Sequence, residues 1–295
     1  QSLGNLLTYA WQSYWYARKL QKEESYDICH AFFGIPCGFV ALLLGTPYVV
    51  SLRGSDVPLF SKRFWLLDRL LFWWISRLVW SRARKVVAVS GHLGALARKT
   101  QPTLDFIVIP NGVDTAHFTP PVHRKNDSST VQLLFVGRLI ERKGLRYLIE
   151  ALQTLVQVEG MPIETRIVGE GPLEAQLREQ VQQAGLVESV TLIGKANTSE
   201  LAVLYQKADI FVLPSLEEGM SNVVLEAMAS GLPIVATYAA GEDLIAGNGI
   251  LVPEATIDAL ADAIRVFVTN ETKRIEMSEK SRELALEKQW QNIAT

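Results

Sequence analysis

The chain has 295 residues, of which 48% are hydrophobic and 20% charged, with 29 Lys and Arg against 31 Asp and Glu for a net charge of -2. That make-up excludes a disordered chain, and the length exceeds one ordinary core, so two domains are the starting expectation. Without a basic excess a nucleic-acid partner has no electrostatic support, and any anionic ligand must be met by a few placed cations.

The first twenty residues, QSLGNLLTYAWQSYWYARKL, lack the basic start and continuous apolar run of a signal peptide. The chain starts at Gln1 and not at Met, so it is expected to be a longer protein truncated at its N-terminus. Cys29 and Cys37 match neither a CxxC redox pair nor a zinc-ligand spacing; both read as small buried apolar residues of a protein in a reducing compartment, with the cytoplasm as the default. His30, in CHAFF, is either a structural histidine or a ligand contact. The stretch from Phe64 to Trp80 is interrupted by Asp68, Arg69 and Arg77 and is short of the roughly 20 residues of a membrane span. It reads as a helix buried between layers, the alternative being an interfacial helix with Trp and Phe at a membrane surface.

Apolar, β-branched runs bounded by turn residues recur at 48–52, 85–89, 106–109, 131–136, 165–168, 190–193, 209–213 and 233–237, and each predicts a buried strand. Helical periodicity falls between them at 144–158, 172–184, 199–207, 222–230 and 257–268, and a last helical stretch runs from Arg274 to Gln291. This alternation predicts an α/β fold with parallel sheets. The segment TPPVHRKNDSST, 119–130, breaks the pattern and reads as an interdomain linker. Domains are therefore expected at 1–118 and 131–272, followed by a C-terminal helical segment at 273–295.

Two constellations carry the chemistry. In SLEEGMSNVVLEAMASGLPIVAT, 215–237, a strand passes through a glycine-containing loop into a helix near Ser221, which aims free backbone N–H groups at the carboxyl edge of a parallel sheet. Glu218 precedes that helix and Glu226 lies about a turn inside it, so one carboxylate can serve a sugar while the other serves a ribose. In LLFVGRLIERKG, 133–144, a strand ends at Gly137, and Arg138 and Lys143 follow in a loop able to offset the charge of a departing diphosphate. Either carboxylate alone could be a solvated residue near a helix start, and either cation a surface residue; together on one domain they point to a diphosphate site. Asn111-Gly112 is assigned to a structural turn. GEGP at 169–172 lacks the third glycine of a dinucleotide fingerprint, so no NAD site is expected.

FVGRL, Arg138 with Lys143, GEGP, ADIFVLPS at 208–215 and Glu218 with Glu226 resemble the family-4 (group 1) glycosyltransferases of the GT-B fold. The resemblance extends to DICHAFFGIPCG at 27–38, PYVVSLRGSD at 47–56, KVVAVS at 85–90 and IPNGVD at 109–114. It implies two Rossmann-like domains facing a central cleft, the first incomplete and on the acceptor side, with the C-terminal helix packing back toward it. It also implies retaining transfer from a nucleoside-diphosphate sugar to a glycan or lipid-linked acceptor of cell-surface polysaccharide synthesis. The matching positions put Arg138 and Lys143 on the diphosphate, Glu218 on the transferred sugar and Glu226 on the ribose. Gly137, Gly219 and the backbone of Met220, Ser221, Asn222 and Val223 would complete the phosphate cradle, and the loop after Gly194 would edge the base pocket. His30, Arg53, Gly54 and Asp56 are the acceptor-side candidates. Neither a metal nor another cofactor is implied.

Many members carry histidine before Gly-Ser-Asp where this chain has Arg53, which suggests an anionic contact such as an acceptor phosphate or a carboxylated sugar. The opening strand and glycine-rich loop of the first lobe have no counterpart ahead of Gln1, so a non-catalytic sugar-nucleotide-binding fragment is the alternative. A peripheral contact with the acceptor's lipid at the inner face of the membrane completes the expectations.

Overall fold

The computed structural model describes residues 3–60, 71–122 and 130–294. The chain divides into two compact units, 1–110 and 111–295. Most of the expected linker at 119–130 and the first half of the apolar stretch from Phe64 to Trp80 lie outside the described residues.

The first unit is built on four parallel strands, β1 (Cys29–Phe32), β2 (Tyr48–Leu52), β3 (Lys85–Ala88) and β4 (Ile107–Val108), in that spatial order. Val50 and Leu52 of β2 and Ala88 of β3 are fully buried. Val79 and Trp80 of the Trp73–Arg82 helix are also buried, while Trp74 and Leu78 of that helix face outward. The described half of the apolar stretch is thus a helix with one buried face. Among the described residues no helix is long and apolar enough to cross a membrane. The Leu3–Glu23 and Gly91–Thr100 helices and strand β1 were not marked by periodicity. β1, Cys-His-Ala-Phe, has one buried residue, Ala31, between exposed His30 and Phe32, a pattern too short to separate strand from turn. Cys29 and Cys37 are unpaired thiols only partly buried, which corrects the expectation of full burial; Cys37 lies beside the Tyr9 hydroxyl at the surface.

The second unit holds six parallel strands in the spatial order β10-β9-β8-β5-β6-β7. These are β5 (Val131–Val136), β6 (Ile163–Val168), β7 (Val190–Gly194), β8 (Ile210–Leu213), β9 (Ile234–Thr237) and β10 (Gly249–Val252). The chain runs outward from β5 through β6 to β7, then returns to the other side of β5 and continues through β8, β9 and β10. The strand order therefore reverses between β5 and β8, and the carboxyl ends of those two strands bound the crevice where open α/β sheets bind ligands.

β5 and β8 are buried almost throughout, which is why both read as unbroken apolar runs. The helix after β5, Leu145–Gln153, buries Leu145, Leu148, Ile149, Ala151 and Leu152 at helical spacing. Removing one such leucine or isoleucine side chain from water contributes about 1.5–3 kcal/mol. The Thr198–Lys207 helix opens on a capping box in which Asn197 and Glu200 each satisfy the other's backbone N–H. β10, the edge strand missed by pattern reading, is mostly half-buried and follows a glycine-rich turn.

Candidate functional site

The loops after β5 and β8 meet at the strand-order reversal. Leu216 N donates to the Arg142 carbonyl at 2.7 Å, tying the two loops directly. Gly144 ends the short helical turn Glu141–Lys143 with φ +67°, and a Cβ there would lie 2.0 Å from the Pro214 carbonyl oxygen. Only glycine both adopts that backbone and allows the approach. The GEGP segment supports the same loops from behind. Gly137 N donates to Val168 O at 3.0 Å and Leu139 N to Glu170 O at 2.9 Å. A Cβ on Gly169, whose φ is +139°, would lie 1.8 Å from the Gly137 carbonyl oxygen. This segment is a pad that sets the height of the Gly137–Lys143 loop, a role its glycines suit better than that of a dinucleotide fingerprint.

Held in this way, Lys143 and Glu218 form an ion pair through Nζ and Oε1 with side chains only 11% and 12% exposed. Ser215 Oγ donates to the same Glu218 oxygen at 3.0 Å. Two residues 75 positions apart thus share one half-enclosed polar point at the carboxyl end of the sheet. Arg138 is exposed on the same loop, and among the described residues no side-chain partner holds its guanidinium.

The Asn222–Ala229 helix starts a few residues beyond Glu218. Ser221 stands at its N-cap with extended backbone, yet makes no side-chain capping bond. Ser90, Asn197, Thr256 and Asn270 do cap their own helices. Serine is among the best N-cap residues, and without its bond the first-turn N–H groups stay open to a ligand. The helix interior from Val224 to Ala229 is buried apart from Glu226, so its N-terminus and that carboxylate form its polar part.

Glu226 does not contact Glu218. Tyr205 Oη donates to Glu226 Oε2 at 2.9 Å from a side chain buried to 0% exposure. Burial raises the Glu226 pKa above the usual glutamate range, opposed by the Tyr205 hydrogen bond and by nearby His117. Burial also drives the Tyr205 phenol well above its ordinary value, reinforced by the adjacent carboxylate, so it stays a donor. Tyr205 was missed by the sequence reading because it sits among the apolar positions of an amphipathic helix. Gly194 closes β7 with φ +85°, has open space where a side chain would stand, and accepts at its carbonyl from Gly169 N at 2.8 Å.

The acceptor-side candidates lie in the first unit, at the carboxyl ends of β1 and β2. His30 Nε2 is 2.8 Å from Ser51 Oγ, and its ring stacks on Phe32 with centroids 4.2 Å apart. The Arg53 guanidinium lies over the same Phe32 ring at 5.6 Å. Asp56 points inward. It is buried, accepts from Gly34 N at 2.7 Å and from Arg53 N and Gly54 N at 2.9 Å each, and burial pushes its pKa up against those bonds. Its carboxylate therefore braces the loops after β1 and β2. Among the described residues no group of His, Cys, Asp and Glu side chains is placed to hold a metal ion.

Residues 130–270 match the family of glycosyl transferases group 1, and residues 2–117 match Glycosyltransferase Family 4. The D-inositol 3-phosphate glycosyltransferase of Pseudarthrobacter chlorophenolicus is 32% identical over 297 residues, covering 94% of this chain and 70% of that one. The UDP-Gal:alpha-D-GlcNAc-diphosphoundecaprenol alpha-1,3-galactosyltransferase of Escherichia coli is 28% identical over 271 residues, 86% of this chain and 69% of that one. Other curated relatives are matched over only about half their length, 47% and 48%. Among solved structures, sucrose-phosphate synthase from Thermosynechococcus elongatus superposes with a TM-score of 0.87 at 22% identity, over 100% of this chain and 77% of that one. The two parallel sheets are those of the GT-B fold, and the chain belongs to the group 1, family-4 glycosyltransferases.

Proposed function

We propose that the protein transfers a sugar from a nucleoside-diphosphate donor to an acceptor with retention of configuration, as part of the synthesis of a cell-surface or lipid-linked glycan. The observation that carries this reading is the Lys143–Glu218 pair at the strand-order reversal, beside a helix N-terminus that its own serine leaves uncapped. A diphosphate lying against the first-turn N–H groups of Asn222–Ala229 is favoured by the helix dipole and by donors that the Ser221 side chain leaves uncapped. Lys143 carries three N–H donors, so it can hold Glu218 with one and a phosphate oxygen with another. Exposed Arg138 adds a second charge to the leaving diphosphate, and these cations stabilise charge that grows as the sugar departs.

Glu218, fixed by Ser215 and Lys143, would accept from hydroxyls of the transferred sugar. Glu226, fixed by Tyr205, would accept from the ribose. His30, Arg53 and Gly54 would meet the acceptor, with Asp56 holding their loops; Arg53 there favours an acceptor that carries negative charge. The Escherichia coli relative named above is a galactosyltransferase for a diphosphate-linked lipid acceptor, which supports this acceptor class; a place at the inner face of the membrane is part of the same proposal.

The test is thermal stabilisation of the purified protein by UDP, GDP, ADP, dTDP and CMP, with and without magnesium. A shift with one diphosphate independent of metal is expected, because a ligand that binds only the folded state raises its stability. Turnover of the corresponding nucleotide sugar then separates the transferase from a non-catalytic binding protein, and no shift with any nucleotide would sink both readings.

A further inference from the structure

From the turn Asn111-Gly112 onward, the chain runs as a strap along the second unit that touches the N-terminal end of the Asn222–Ala229 helix and is tied to its C-terminal end through Arg282. At the N-terminal end, Asn111 Nδ2 donates to Asn222 Oδ1 at 2.8 Å, and Asn111 N lies 3.1 Å from the Met220 sulfur. At the C-terminal end, Arg282 donates to the Ala229 carbonyl at 2.6 Å and, from the same guanidinium, to the strap carbonyls of Phe118 at 3.0 Å and Thr115 at 3.1 Å. Between these points the strap is held against the unit. Asp114 Oδ1 accepts from Ala116 N and His117 N, Val113 N donates to Lys288 O at 3.0 Å, and Phe118 packs edge-on against Tyr205.

Asn111 is 8% exposed and Asn222 is exposed, so the bond reaches from the buried strap to the rim of the helix N-terminus. Met220 and Asn222 flank Ser221, the serine that leaves its helix uncapped. A loop whose backbone N–H groups must converge on one anion has to be held by something other than its own cap. Asn111 is the side chain that does so on one flank.

We propose that Asn111 is a positioning residue for the donor site: its amide fixes Asn222, and its backbone N–H fixes Met220, so that the N–H groups of residues 220–223 are preorganised for a diphosphate. This rests on the donor reading of that helix. Preorganisation is paid in the free protein and appears as affinity. The strap thus joins a motif assigned to turn geometry to the phosphate site 111 residues further along the chain.

The experiment measures binding of the nucleoside diphosphate selected by the thermal-shift panel to the full chain. It compares the wild type, Asn111→Ala, Asn222→Ala and the double variant, alongside steady-state kinetics with the matching nucleotide sugar. Asn111→Ala is expected to weaken binding about three- to ten-fold, the range for one ordinary hydrogen bond, and to raise KM more than it lowers kcat. The two single losses are expected not to add, since each breaks the same bond. Asn111→Ser keeps a donor on a shorter side chain and a backbone N–H for Met220, and is expected to recover part of the loss. Wild-type affinity in Asn111→Ala, strictly additive losses, or a fall in kcat alone would overturn the inference while leaving the donor site standing. A wild type that binds no nucleoside diphosphate would remove the donor reading and this inference with it.

Discussion

Lys143 and Glu218 are as much a folding problem as a chemical one. Each is nearly enclosed and each is the other's principal partner, so truncating one leaves a charge in a site built for a pair. Lys143→Ala or Glu218→Ala should therefore abolish turnover and also lower stability, by about 3 kcal/mol for a broken, largely buried pair. Lys143→Met combined with Glu218→Gln should recover most of the melting temperature with no activity. If the single variants melt like the wild type, the pair is not the structural bridge described here. Arg138 differs because it is exposed, so Arg138→Ala should keep the wild-type melting curve while kcat falls about a hundred- to a thousand-fold, the cost of removing one donor from developing charge. Glu226 supplies a pH test. Its pKa is raised by burial, so the folded protein favours the protonated acid more than the unfolded chain does. The corresponding stability is present below the ordinary glutamate pKa and is lost as pH rises through the raised value. Glu226→Gln should thus be at least as stable as the wild type at pH 7. The proposed ribose contact needs the ionised form, so on that proposal wild-type affinity for the diphosphate should climb through that same window, and calorimetric titration of Glu226→Gln should show a weaker, flat profile.

Among the elements, the loops after β5, β6 and β8 stand or fall together. Gly144 lets the first of them pass under the Pro214 carbonyl, and Leu216 then closes on Arg142. Gly144→Ala adds a methyl where there is no space and imposes a positive φ on a residue that resists it, at about 1 kcal/mol for the backbone alone and more for the clash. Urea unfolding should show a loss above about 2 kcal/mol, and diphosphate affinity should fall even at temperatures where the variant is folded. A neutral Gly144→Ala would mean that the two loops are not locked by this contact. The helix segments legible in sequence were those with a buried stripe, such as Leu145–Gln153. The Gly91–Thr100 helix has few large apolar side chains and was passed over, although Ser90 caps it. Strands β1 and β10 are four residues long with one buried residue each, too short and too little buried for a period to register.

For the molecule as a whole, the second unit contains the Gly137–Lys143 loop, the Glu218 loop, the Asn222–Ala229 helix, Tyr205 and the strap within residues 111–295. That segment expressed alone should fold and be stabilised by the same diphosphate as the full chain, whereas sugar transfer should need the first unit with His30 and Arg53. Absence of nucleotide binding by a folded 111–295 segment would show that the donor site is not contained in this unit.

The α/β class, the alternation that builds the second sheet, and the pairing of a two-cation loop with a two-glutamate loop were determined by sequence alone. Buried parallel strands are written as apolar runs, and site loops are written as glycines beside charges at strand ends. Tertiary structure alone decided that Lys143 and Glu218 form one ion pair, that Tyr205 holds Glu226, that Asp56 turns inward to brace two loops, and that Asn111 reaches Asn222. Each of those contacts joins residues from different loops or helices. Their distances depend on the order of strands in a sheet and on how close glycine lets two backbones approach, and neither quantity is carried by local pattern.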